Sequence, residues 1–302
     1  MSDELKLRAE HVRKEFRQGK QEILALADVT MGVRANEFIT IVGTTGCGKS
    51  TLLNIVAGLE EPSGGLLTID GKPVAGPGLD RGMVFQTYSL FPWQTLLRNV
   101  EFGLSKKGMG RRERREVAHQ HIDMVGLSGF EHAYPAQLSG GMQQRVAIAR
   151  ALAYDPSLLL MDEPFGALDA QTRGLMQELL LRIWEQHKTT VLFITHDVDE
   201  AIFLADRVYV MTARPGRIKA EISIELERPR PYELQTAPEF IVIKREVMQL
   251  IREESLRSTA EGEEAGIEAG SFEPSPRRTP FTRVVGERQP ASAWPDNPAE
   301  ES

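Results

Sequence analysis

The sequence predicts an α/β fold with a mostly parallel sheet, an N-terminal antiparallel β subdomain and an inserted helical subdomain. Three observations predict it. Phe38–Val42 is a continuous apolar, β-rich run, the pattern of a strand buried on both faces; glycine-rich sequence follows directly, then Leu52, Leu53, Ile55 and Val56 at helical spacing. Residues 158–161 and 190–195 form two more such runs, and Ala170–His187 between them reads as a helix, so strand, helix and strand imply a parallel pair with a crossover. Residues 95–154 read mainly as helices.

The remaining elements fit around this frame. Leu5, Leu7 and Ala9 alternate with polar residues, as do Leu24 and Leu26. Residues 66–70 continue the pattern to Asp70-Gly71, a hairpin turn signal. Residues 208–211 and 218–224 read as further strands and 240–252 as a helix. Within the helical stretch, Arg111 to Glu116 is highly charged. A basic cluster can contact nucleic acid, but its interleaved glutamates suit ion pairs on a solvated helix face. From about residue 258 to 302 the chain is rich in Glu, Pro, Ser, Gly and Arg, with few large apolar residues, and is expected to stay disordered. The expected division is therefore a domain over 1–257, its helical subdomain at about 95–154, and a tail over 258–302.

Bulk properties exclude several classes. The chain has 302 residues and a net charge of −7, which argues against a protein that coats nucleic acid electrostatically. Its single cysteine precludes an intrachain disulfide framework. The first ten residues are charged and lack the apolar core of a signal peptide. Nowhere do roughly 18 apolar residues run together, so no segment is expected to span a bilayer. Work at a membrane would require other chains to hold the protein there.

The chemistry is concentrated in a few segments. Gly43, Thr44, Thr45, Gly46, Cys47, Gly48, Lys49 and Ser50 match G-x-x-x-x-G-K-[ST], the phosphate loop of P-loop NTPases. Its glycines let backbone N–H groups face phosphates, and the following helix points its N-terminus at them. Lys49 can reach the β- and γ-phosphates and Ser50 can ligate Mg²⁺; Thr51 extends the expected nucleotide-binding set into the helix. Cys47 reads as a small residue that fits, although a thiol near a helix N-terminus can also be reactive. Residues 158–161 run into Asp162 and Glu163. In an open parallel sheet, ligands bind at the carboxyl ends of strands. This puts Asp162 beside the phosphate loop as a metal ligand and makes Glu163 the candidate to polarise the attacking water.

Leu138-Ser139-Gly140-Gly141-Met142-Gln143-Gln144-Arg145 resembles the signature motif of the ATP-binding cassette (ABC) family. A serine and two glycines opening a helix form a second anion site. The resemblance covers about residues 5–255. It implies that Ser139, Gly140 and Gly141 of one subunit close head to tail on the ATP held by a second copy. It further implies that Gln86 contacts Mg²⁺ and water and senses a membrane partner, that His196 contacts the γ-phosphate, and that Asp169 belongs to the loop between the two. Phe16 falls where the family places an aromatic against adenine; a phenylalanine near a strand end also reads as core. Thr44-Thr45 and Gly166 depart from the usual family residues; at Thr44-Thr45 the backbone contacts are expected to survive the change.

Lys49 and Ser139 lie 90 positions apart, as in the transport ATPases of the family. Residues 195–201, 213–218 and 228–230 resemble the nitrate, sulfonate and taurine importer branch. Membership there implies a peripheral ATPase at the cytoplasmic face of the cell membrane. Its partners would be integral permease subunits and, indirectly, a solute-binding protein, with no nucleic acid. Phe91 and Trp93 would line a groove for a permease helix, or else are ordinary core. The competing readings are a soluble ABC ATPase that remodels protein or nucleic-acid assemblies, and a binding module that no longer hydrolyses ATP.

Overall fold

The computed structural model describes residues 5–19 and 21–268. Strands β1 (Leu5–Gln18) and β2 (Gln21–Arg34) form a long antiparallel hairpin, with β4 (Gly64–Ile69) on the outer edge of β1. β5 (Lys72–Pro73) folds back onto β4 through Asp70 and Gly71, both at positive φ, as the turn signal requires. The parallel part comprises β3 (Phe38–Val42), β6 (Arg81–Val84), β7 (Leu158–Asp162), β8 (Thr190–Ile194) and β9 (Arg207–Met211). β10 (Gly216–Ser223) pairs antiparallel with β9 and parallel with β2, joining the halves into one sheet of order β5-β4-β1-β2-β10-β9-β3-β8-β7-β6.

The two-residue period of a strand splits its apolar run between two cores. Phe38 and Val42 of β3 enter one cluster, together with Leu159, Met161, Val191 and Phe193; Ile39 and Ile41 enter the other, with Leu158, Leu160, Leu192 and Ile194. The second face is covered by α1 (Lys49–Ala57) through Leu52, Leu53, Ile55 and Val56, the four residues whose spacing predicts it. The first face receives α4 (Gly140–Ala153), α5 (Ala170–His187) and α6 (Val198–Leu204). The inserted helices are α2 (Leu96–Lys106), α3 (Arg111–Met124) and α4. In α3 only Ala118 and Ile122 are buried, and the 111–116 run faces outward with an Arg112–Glu116 pair at 3.3 Å.

Two elements lie outside the sequence reading. β6 has four residues and no clear period; Gly82 within it sits where a Cβ would come within 2.9 Å of the Ala151 carbonyl oxygen. α6, with seven residues, is too short to show a period. A third difference concerns the tail. α7 (Pro238–Glu268) runs past residue 257, because the alanines and glutamates of 259–268 extend a helix already nucleated upstream. Residues 258–268 are therefore helical rather than disordered, while 269–302 of the expected tail lie outside the described residues. Two compact units are distinguished, Met1–Gly262 and Glu263–Ser302, and everything below concerns the first.

Residues 228–230 have a structural role. Arg230 is 5% exposed, and its guanidinium donates to the carbonyls of Ile202, Phe203, Ala205 and Leu226 at 2.8–3.2 Å, which satisfies the C-terminal end of α6. Arg228 pairs with Asp206 at 2.9 Å and donates to the Leu204 carbonyl. Arg230→Ala leaves those buried carbonyls without donors. It is expected to lower unfolding free energy by about 2–4 kcal/mol in urea denaturation; a loss below about 0.5 kcal/mol would show that water replaces the cap.

Candidate nucleotide site

β3 stops at Val42, and residues 43–48 curl over the start of α1. Gly46 and Gly48 take φ of 78° and 103°, and a Cβ on Gly48 would stand 2.7 Å from Leu26 Cδ2 and 3.1 Å from the Ala25 carbonyl oxygen. Only glycine meets both demands. Gly48 N-caps α1 without a side-chain hydrogen bond, so the first amides of the helix are left for a ligand. Lys49 is 5% exposed, and its Nζ donates to the carbonyls of Gly43 at 2.9 Å and Thr44 at 3.1 Å. The ammonium thus sits inside the loop. Cys47 is buried in the core with its Sγ 3.9 Å from the Lys49 ammonium, and burial pushes its thiol above the ordinary value; it is a packing residue.

The ends of three neighbouring strands bring the polar groups together. Ser50 Oγ donates to Asp162 Oδ1 at 3.0 Å, at the end of β7. Burial raises the Asp162 carboxyl, against the pull of the Ser50 hydrogen bond. Glu163 follows at φ 41°, a conformation that turns its side chain out of the strand direction. Its Oε2 lies 3.0 Å from His196 Nδ1, just beyond β8, and 3.5 Å from Gln86 Nε2, just beyond β6. Glu163, His196 and Gln86 border a cavity of about 820 Å³ that also contains Thr45, Gly46, Gly48, Lys49, Ser50 and Thr51.

At its far end the cavity is walled by Phe16 and its cross-strand partner Ile23. Phe16 is 37% exposed, which decides against a core role. Arg17, Ala25 and Arg214 complete the lining and were not among the expected site residues. Ile23 and Ala25 follow from the hairpin register, which the sequence pattern alone does not set; Arg214 lies in a segment whose sequence suggested only a likeness.

The remaining expected residues lie elsewhere. Ser139 N-caps α4, accepting from the Met142 amide at 3.3 Å, and Asp169 N-caps α5, accepting from the Thr172 amide at 3.0 Å. Neither these two nor Gly140 and Gly141 line the cavity of their own chain. Asp162 reaches the site through Ser50. No cluster of three His, Cys, Asp or Glu suited to a metal exists among the described residues. The oxygen pair of Ser50 and Asp162 fits Mg²⁺ only as part of a set completed by phosphate oxygens and water, which is how that ion is usually held.

The segment carrying His196 is anchored below the cavity. Asp197 N-caps α6, accepting from the amides of Asp199 and Glu200, and pairs with Arg173 at 3.0 Å. Glu200 is 3% exposed and accepts from Gln177 Nε2 at 3.1 Å. Burial raises its carboxyl to about 7, opposed by the Thr195 and Gln177 hydrogen bonds. A carboxyl raised in the folded state stabilises while protonated: its contribution is complete below the ordinary 4.5 and is lost as pH rises through about 7. Glu200→Gln mimics the protonated form at every pH. The variant should therefore gain on the wild type between pH 5 and pH 8, by roughly 3 kcal/mol. Parallel urea melts at both pH values check this; a pH-independent difference would mean that Glu200 is ionised throughout.

Comparison with known proteins agrees with this geometry. The family model described as ABC transporter matches residues 26–166. The nitrate import ATP-binding protein NrtD of Synechocystis is 52% identical over 236 residues, which cover 76% of this chain and 89% of that protein. The taurine import ATP-binding protein TauB of Yersinia pestis is 47% identical over 236 residues, covering 76% and 91%. An ATP-binding cassette solved as a dimer in a post-hydrolysis state with ADP and Pi is 35% identical, with a TM-score of 0.65 over 73% of this chain and all of that one. The phosphate loop beneath the cavity and the extent of these matches lead to one conclusion: the chain belongs to the ATP-binding proteins of ABC transporters and is an ATPase.

Proposed function

We propose that this ATPase energises an importer for nitrate, taurine, another sulfonate or a similar small solute, working as a head-to-tail pair of copies beneath integral permease subunits. The observation that carries the catalytic half is the cluster of Glu163, His196 and Gln86 over the phosphate loop. The likeness to the nitrate and taurine import proteins supports the solute class, which this subunit itself does not contact.

In this reading ATP lies along the cavity, with its adenine against Phe16 and its polyphosphate over residues 43–51. The backbone amides of the loop and the Lys49 ammonium stabilise charge on the γ-phosphoryl group as it departs, so the protein's contribution is positioning and electrostatics rather than covalent chemistry. Lys49 exchanges its two carbonyl partners for phosphate oxygens. Ser50, Asp162 and Gln86 would hold Mg²⁺, which neutralises phosphate charge when bound. Glu163 accepts a hydrogen bond from the attacking water and His196 orients both. The second anion site, Ser139 with Gly140 and Gly141, reaches the same phosphates only from another copy, with Asp169 beside it. The dimeric relative with ADP and Pi supports that arrangement.

The permease reading rests on one groove. Trp93 is 72% exposed, tilted over Phe91 at 5.7 Å, and Phe91 packs on Phe102 at 4.7 Å. Beside them lies a cavity of about 340 Å³ lined by Leu79, Met83, Phe85 and Arg150. An aromatic, apolar trough of this size suits a short amphipathic helix. Arg150 of α4 donates to the Ser89 carbonyl at 2.7 Å and the Tyr88 carbonyl at 3.3 Å. The helix that starts at Ser139 is thus tied to the segment that starts at Gln86. Among the described residues no helix is long and apolar enough to cross a membrane, so attachment would run through this groove.

Glu163→Gln keeps the size of the side chain and removes its basicity. Turnover is expected to fall by roughly 10²–10⁴ with ATP affinity retained, measured by phosphate release and by nucleotide binding; near-normal turnover would remove Glu163 from its role. The same variant, held with ATP, is expected to co-purify stoichiometric integral membrane subunits from detergent-solubilised native membranes. Trp93→Ala in that background should lose them. Recovery of ribosomes, DNA or soluble assemblies in their place would favour a remodelling ATPase and sink the transporter reading.

A further inference from the structure

One wall of the nucleotide cavity has no part in the contacts described so far. β9 passes into β10 through a turn over residues 212–215, and this turn packs directly on the phosphate loop. A Cβ on Gly216 would lie 2.2 Å from the Cys47 carbonyl oxygen, and one on Gly43 would lie 3.2 Å from the carbonyl oxygen of Met211. The turn is closed on itself: Thr212 Oγ1 donates to the Pro215 carbonyl and accepts from the Arg217 amide, each at 3.0 Å, and the Thr212 amide donates to the Arg217 carbonyl at 3.0 Å. It is also held from outside. Glu254 of α7, 3% exposed, accepts from the Ala213 amide at 3.1 Å and pairs with Lys219 at 2.8 Å.

Arg214 projects from this frame to the cavity. It lines the space shared by Gly46, Lys49 and Glu163, and its Nη2 comes within 3.5 Å of the place where a Cβ on Gly46 would stand. The other cations nearby are engaged. Arg17 Nε donates to Glu22 at 3.1 Å, Lys49 is held by the loop carbonyls, and Arg217 faces Asp28 at 3.9 Å. Among the described residues, no hydrogen-bond or ion-pair partner accompanies Arg214. A permanent cation without a counter-ion, carried on a braced turn beside a loop of bare amides, is a preorganised anion contact: its planar fork matches phosphate oxygens, and its backbone has little freedom left to lose.

We propose that Arg214 is a nucleotide-binding residue that contacts the polyphosphate of the bound nucleoside triphosphate, and that Glu254 is its positioning residue. This rests on the reading of the cavity as the ATP site.

The test measures ATP and adenosine affinity by titration calorimetry on the full chain. Arg214→Ala is expected to weaken ATP about tenfold, the scale of one charge-assisted contact, and to leave adenosine unchanged. Arg214→Lys should recover part of the loss. Arg217→Ala, the neighbouring surface cation, should stay within about twofold for both ligands. Glu254→Gln should cost a smaller factor for ATP that disappears in the Arg214→Ala background, because the two act through one contact. Equal losses for ATP and adenosine would overturn the proposal and leave the turn as a brace for the loop. Unchanged ATP affinity in Arg214→Ala would overturn it as well. A Glu254→Gln loss that persists beside Arg214→Ala would reduce Glu254 to a structural residue. A wild-type chain that binds no ATP would sink the cavity reading itself, and this proposal with it.

Discussion

The phosphate loop is crowded from behind, and much of the molecule serves that crowding. A side chain at Gly48 would strike Leu26 and the backbone of Ala25, one at Gly43 would strike Cys47 and Met211, and one at Gly216 would strike the Cys47 carbonyl. These contacts come from β2, β9 and the start of β10, strands from both parts of the sheet. β10 is the strand that joins the parts, since it pairs with β2 on one side and β9 on the other. Bare amides bind an anion well only if they are already aimed at it, because reorienting them would cost much of the gain. The mixed sheet therefore acts as a rigid bed that fixes the loop before any ligand arrives, and Cys47 gives up any chemistry of its own to pack into that bed.

The groups proposed for catalysis depend on the same sheet for their register. Asp162 ends β7 and Glu163 follows it, while His196 and Gln86 lie just beyond β8 and β6, and those strands are neighbours in the order β8-β7-β6. Side chains separated by 77 and 33 positions in sequence thus meet at one carboxylate oxygen. Below them the anchoring is polar: Asp197 with Arg173, half-buried, and Glu200 with Gln177, buried. Hydrogen-bonded polar anchors specify one geometry more sharply than apolar packing can, at some cost in stability. Their place under His196 suits the role proposed for that residue, which needs to be held at one angle to a phosphate.

The parts legible in the sequence are those whose physics is local. Buried strands announce themselves as apolar runs, and the phosphate loop by glycines that cannot be substituted. The acids at 162 and 163 are legible because a strand end has only one functional direction in a parallel sheet. What stayed hidden depends on contacts between distant segments. β6 carries no period because it is short, and it is recognisable only by its pairing with β7. Ile23 and Ala25 join the site through a hairpin register with bulges near residues 9–15. Arg230 looks like a surface cation in sequence and is a buried cap, since nothing local shows the open carbonyls of α6. Arg214 and Arg217 are three positions apart and chemically identical; only the fold sends one to the cavity and the other to Asp28. The compositional signal at 258–268 failed for a different reason. Sequence composition describes an isolated segment, whereas these residues continue a helix that packs upstream through Phe240 and Val247.

The location of the second anion site gives the molecule its logic. Ser139 opens α4 away from the cavity of its own chain, and yet α4 is the helix whose Arg150 holds Tyr88 and Ser89. Whatever draws the N-terminus of α4 onto a phosphate would therefore pull, through one rigid helix, on the segment that begins at Gln86 and ends at the half-buried Phe91 and the exposed Trp93. A helix transmits displacement along its length with little loss, while a chain of loops would dissipate it. Gln86 in turn donates to the carboxylate of Glu163, the residue proposed to activate water, and shares that carboxylate with His196. In the proposed dimer, occupancy of the nucleotide site by a partner's serine, the geometry of the Glu163 carboxylate and the shape of the groove proposed for docking would be three readings of one rigid-body position. A ligand biases that position only by the difference in its affinity for the open and closed arrangements. An ATPase built this way would couple hydrolysis to movement of a partner without any part of the partner entering the site.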